Sequence, residues 1–74
     1  GRVLTVKAKN RPGLIGDIGS ALGSYKVNIV DIKLEISEEE AEISFKVTTP
    51  PHVDLSSLLQ KIQDFPDIQT VRWE

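Results

Sequence analysis

The 74-residue chain has no cysteine and no methionine, and its aromatic complement is one tryptophan, one tyrosine and two phenylalanines. Without cysteine there are no disulfides and no thiolate nucleophile. With only one histidine, the clustered Cys and His ligands of a zinc or iron centre are missing too, so no metal and no cofactor are expected. No apolar run approaches the roughly 20 residues that cross a bilayer, and no basic-then-apolar leader opens the chain. A dominant sign of charge is also lacking. Nine basic and eleven acidic residues give a net charge of −2, with a pI near 5.3, short of the positive excess by which nucleic-acid binders attract phosphate. The one imidazole, His52, follows Pro50 and Pro51 and reads as a loop residue rather than a general base. The carboxylates fall in turns or on a solvated strand face, so no residue is assigned a catalytic role.

What is present is periodicity. In residues 3–9, Leu4, Val6 and Ala8 alternate with Thr5, Lys7 and Lys9, the pattern of a half-buried strand. After the turn Asn10-Arg11-Pro12-Gly13, the residues Leu14, Ile18, Leu22 and Tyr25 recur at helical spacing, with Pro12 suited to the first helical position and the helix ending near Lys26. From Asn28, Val30, Ile32, Leu34 and Ile36 alternate with Asp31, Lys33 and Glu35; from Ala41, Ile43, Phe45 and Val47 continue a third alternation. The three glutamates 38–40 between them read as a solvated hairpin turn. Asp54 is an N-cap for a second helix carrying Leu55, Leu58, Leu59 and Ile62, and residues 68–73 form a fourth strand.

The order βαββαβ predicts an α+β, ferredoxin-like fold, a four-stranded antiparallel sheet with both helices on one face covering the apolar strand sides. Lys7, Asp31, Lys33, Glu35, Glu42 and Lys46 are expected on the open face and the second strand at an edge. Base stacking on that open face is not expected, because Phe45 is in phase with Ile43 and Val47 and Tyr25 belongs to the helix core face. The phase of Trp73 is undetermined. A domain this small buries only about 60% of its unfolded surface, so a partner or a longer chain is expected to support it. Strand-like sequence running from Arg2 to Trp73, with no methionine and no polar tails, reads as a domain cut from a longer protein.

The turn is where a ligand could enter. Amides near Gly13, Leu14 and Ile15 precede or open a helix, lack intrahelical acceptors and could hold a carboxylate; the alternative is that Pro12 and Gly13 only shape a tight connection. Gly16, Gly19, Ser20 and Gly23 form a stripe of small residues opposite the apolar face, either a tolerant exposed surface or a docking surface.

Asn10-Arg11-Pro12-Gly13-Leu14, then Asp17-Ile18 and Val27-Asn28-Ile29, resembles the signature of ACT domains, ligand-sensing modules appended to enzymes of amino-acid metabolism. With the closing Val71-Arg72-Trp73, the chain is most similar to the C-terminal ACT domain of RelA/SpoT-type GTP pyrophosphokinases, the (p)ppGpp synthetase-hydrolases. Where the family often has Asp, this chain has Asn10. The resemblance implies that residues 1–74 are a single, non-catalytic ACT domain from the C-terminal region of a longer cytoplasmic enzyme acting in the stringent response. It implies an amino-acid ligand held by Asn10, Arg11, Pro12, Gly13, Leu14 and Ile15 of one protomer and Asn28 and Ile29 of another. It also implies a homodimer through ACT–ACT pairing and contacts with other domains of the parent chain or the ribosome. The alternatives are a ligand-free interaction or dimerisation module, or the ACT domain of an amino-acid biosynthetic enzyme.

Overall fold

The computed structural model describes residues 1–74. The elements are β1 (Arg2–Lys9), α1 (Leu14–Ser24), β2 (Asn28–Ser37), β3 (Glu40–Thr48), α2 (Leu55–Gln63) and β4 (Ile68–Trp73). They build one antiparallel sheet in the order β2-β3-β1-β4. This is the expected ferredoxin-like arrangement.

The core lies between the central strands and the helices. Leu4, Val6 and Ala8 of β1 and Ala41, Ile43, Phe45 and Val47 of β3 are at most 1% exposed, packed with Leu14, Ile18 and Leu22 of α1 and Leu58 and Ile62 of α2. Asp54 caps α2 as expected, its carboxylate accepting from the Ser57 N–H at 3.0 Å. Trp73 lies opposite Leu4, which fixes its undetermined phase on the helix side.

Three local features differ from the sequence expectation. Pro12 precedes the helix instead of opening it, because Gly13 is the N-cap and Leu14 the first helical residue. Helix α1 stops at Ser24 and closes in a Schellman motif: the Lys26 N–H donates to Gly23 O (2.9 Å) and the Val27 N–H to Leu22 O (3.0 Å), with Lys26 at φ 63. Buried Val27 and Leu22 supply the motif's apolar contact. A lysine in the left-handed region pays a steric cost that glycine avoids. Lys26→Gly is therefore expected to stabilise the domain by about 1 kcal/mol, raising Tm by roughly 4–8 °C. A lower Tm in a thermal melt followed by circular dichroism would contradict the cap.

The third difference concerns β2. The helices were expected to cover its apolar side, yet Val30, Ile32, Leu34 and Ile36 are 55, 38, 44 and 54% exposed. Ile32, Leu34 and Ile36 do face the helix side, opposite Phe45, Ile43 and Ala41, but Val30 is a bulge residue between the pairs Ile29–Val47 and Asp31–Lys46. The flank of α1 away from Ser24, which bonds Lys61 of α2, carries Ile15 and Gly19; Ile15 packs against the core, whereas Gly19 has no side chain to extend that cover over β2.

Candidate functional site

The connection between β1 and α1 is a β-turn at residues 11–14. The Leu14 N–H donates to Arg11 O at 3.3 Å, Pro12 takes the second position, and Gly13, at φ 79 and ψ 0, takes the third, the geometry of a type II turn. Arg11 clamps it: Nη2 donates to Asp17 Oδ2 at 2.7 Å and Nη1 to Pro12 O at 3.1 Å. Asp17 returns its own N–H to Gly13 O at 2.9 Å.

Leu14 is thus not a free donor, and its side chain is buried in the core. The N–H groups of Gly13, Ile15 and Gly16 have no acceptor, and no side chain caps the helix. Arg11 Nε is buried and also has no acceptor. A turn with this surplus of donors, at the positive end of a helix, suits a carboxylate. The Arg11–Asp17 clamp was missed in the sequence because its partners are six residues apart across a turn; an Arg before Pro-Gly with an Asp in the following helical turn is the signal that could have shown it.

Asn28 and Ile29 lie elsewhere. Asn28 starts β2 opposite Thr48 and Ile29 pairs with Val47, whereas Asn10 donates its N–H to Glu39 O (2.7 Å) at the start of β3. From Glu40 to Thr48 the chain advances eight residues along β3, about 26 Å at strand rise. The turn and Asn28 therefore sit at opposite ends of the sheet within one chain. None of the surface depressions includes residues 10–15 or Asn28; the largest, about 300 Å³, lies on the open face beside Lys33, Lys46 and Glu74.

The open face carries no aromatic ring, since Phe45 and Trp73 are on the helix side and Tyr25 bonds Ser57 at 2.6 Å. His52 is an exposed loop residue at φ 64. No group of three His, Cys, Asp or Glu side chains is placed to hold a metal ion, and no helix is long and apolar enough to cross a membrane.

The family model for the ACT domain matches residues 2–67. The chain belongs to the ACT-domain family. No curated protein matches it. Among solved structures it is similar to the ACT domain from GTP pyrophosphokinase of Chlorobium tepidum, with TM-score 0.80 and 15% identity over 99% of this chain and 95% of that one. An ACT domain protein from Streptococcus pneumoniae superposes with TM-score 0.80 and 16% identity over 99% and 85% of the two chains. A homoserine dehydrogenase from Thiobacillus denitrificans gives TM-score 0.73 and 21% identity over 97% of this chain but 16% of its own. At these identities the likeness is one of fold. ACT domains are regulatory modules rather than catalysts.

Proposed function

We propose that this ACT domain senses a small amino acid and passes its bound state to a (p)ppGpp synthetase/hydrolase elsewhere in its parent chain. The carrying observation is the turn, where the amides of Gly13, Ile15 and Gly16 and the Nε of Arg11 are donors without acceptors. An amino-acid carboxylate would accept there, and the ammonium group would find the side-chain oxygen or backbone carbonyl of Asn28.

Asn28 must then come from a second protomer, because the two half-sites are a strand length apart in one chain. Antiparallel pairing of two β2 edges puts the partner's Asn28 at the end of the sheet that bears the turn. The exposed apolar row of β2 supports that pairing, since an open edge of this kind is an aggregation liability until it is covered. The GTP pyrophosphokinase parent is supported by the closing Val71-Arg72-Trp73 and by the likeness to the Chlorobium domain. The coding sequence upstream tests it: a phosphohydrolase and nucleotidyl-transferase pair is expected, and a dehydrogenase would redirect the reading to a biosynthetic enzyme.

Ligand binding is tested by NMR titration of a dimeric sample with each of the twenty amino acids. Saturable shifts are expected at the amides of Gly13, Ile15, Gly16 and Asn28. No saturable shift at millimolar concentration would overturn the sensing role and leave a ligand-free dimerisation module, which the exposed β2 row independently favours.

A further inference from the structure

We propose that the open face of the sheet holds a second ligand site, for a small phosphate-bearing molecule, centred on Ser44 with Lys33 and Lys46 beside it. The site is separate from the turn and lies within one protomer. Its frame is the strand register. Lys33, Ser44, Thr5 and Arg72 stand opposite one another in a single row across β2, β3, β1 and β4, and in the next row Lys46 lies between Asp31 and Val3. Alternation puts these residues on the side away from the core, since the intervening Leu4 and Phe45 are buried beneath the helices. Lys33 is across from Ser44, about 5 Å away between Cβ atoms, and Lys46 is two residues further along β3, about 7 Å away. Both long side chains therefore reach the serine hydroxyl.

The face is built up around this point. Glu74 donates its N–H to Val3 O at 2.8 Å and folds its carboxylate back onto Thr5, whose hydroxyl donates to it. Thr5 is in consequence only 3% exposed although it stands on the open side. Glu74 thereby forms one wall of a depression of about 300 Å³, lined also by Val3, Asp31, Lys33, Ser44 and Lys46. That volume is at the lower end of small-molecule pockets, roughly 300–1,000 Å³.

Charge selects the ligand. The protein's ion pairs are Arg11–Asp17 and Arg72–Glu74, so Glu74 is engaged by Arg72 and Thr5, whereas Lys33 and Lys46 have no acidic partner. The Ser44 hydroxyl takes part in none of the side-chain hydrogen bonds. Asp31 is the one unengaged carboxylate of the lining. Two ammonium groups and a hydroxyl match a phosphate monoester, with its charge of about −2 and three strong acceptor oxygens. A nucleic-acid strand fits less well. Glu35 and Glu42 occupy the next row toward the hairpin and Asp31 and Glu74 bound the other side, so successive phosphates would cross carboxylates. The face also has no ring on which a base could stack.

The test is an NMR titration of the chain with inorganic phosphate, with glycerol 3-phosphate and with a short single-stranded RNA, followed at the amides of Lys33, Ser44 and Lys46. Saturable shifts are expected with both small anions. Tighter binding of the ester identifies a phosphorylated metabolite as the source and equal affinity identifies the free ion; both uphold the site. RNA binding more tightly than either would overturn the small-molecule reading, and no saturable shift at millimolar concentration would overturn the site. Lys33→Gln and Lys46→Gln should each weaken binding about three- to fivefold and Asp31→Asn should tighten it by a similar factor, all three being exposed positions whose change spares the fold. Lys9→Gln removes the same charge at the other end of the sheet, opposite Glu40, and should leave the affinity unchanged. Equal losses from Lys9→Gln and Lys33→Gln would show attraction to net charge alone and contradict the proposal.

Discussion

Replacing Gly16, Gly19 and Gly23 together with alanine is expected to stabilise the domain by about 2 kcal/mol, each helical glycine costing roughly 0.5–1 kcal/mol against alanine. The structure removes the usual objection. A Cβ built at any of the three meets nothing within 4 Å, so the substitution adds no clash and gains the restriction of the unfolded chain. For a domain of this size the gain corresponds to a rise in Tm of roughly 10 °C, read from a thermal or urea melt. Dimerisation should be unchanged in sedimentation. Weaker association of the triple variant would show instead that the stripe is itself contact surface.

Gly13→Val should have the largest opposite effect, a loss of about 2–3 kcal/mol. Space does not set this cost, because the nearest atom to a Cβ at Gly13 is Arg11 Nη1 at an ordinary 3.8 Å. The cost comes from φ 79, a conformation that a β-branched residue adopts only under strain of about 1–3 kcal/mol, together with disturbance of the turn that seats Arg11. Gly13→Asn should lose about 1 kcal/mol or less, since Asn tolerates the left-handed region best after glycine. Equal stability of the valine variant and the parent in denaturant melts would contradict the turn assignment. Because the valine variant perturbs folding, it cannot isolate ligand binding. Asn28→Ala, at an exposed strand start, separates the two: ligand affinity should fall with little change in Tm.

The elements were legible because their signals are local. Alternation in residues 3–9 and 41–48 identified the faces of β1 and β3, and Asp54 before a helical apolar run marked the start of α2. Face, however, is a property of one strand, whereas cover depends on what lies above it. The alternation of Ile32, Leu34 and Ile36 could not reveal that the helices leave these residues exposed. Val30 fitted the apolar row in sequence because a bulge leaves no trace in a simple alternation, and Lys26 in a left-handed cap broke the rule that glycine marks such positions.

The candidate site was legible to a similar depth. Pro12 and Gly13 announced the turn, but the loss of Leu14 as a free donor and the clamp between Arg11 and Asp17 depend on the turn type, which only the backbone shows. The separation of Asn28 from the turn follows from the antiparallel order β2-β3-β1. That order makes a site using both ends a property of two chains.

The central claim is that the amino-acid site is completed by a second copy of the chain. Its most direct measurement is amino-acid affinity, followed at the amides of Ile15 and Gly16, at protein concentrations above and below the dimer's dissociation midpoint. By mass action, a ligand that binds only the assembled state tightens assembly. The account predicts saturable binding to the dimer, a loss of apparent affinity on dilution to monomer, and a dimer midpoint that falls as ligand is added. The same affinity for monomer and dimer would contradict it.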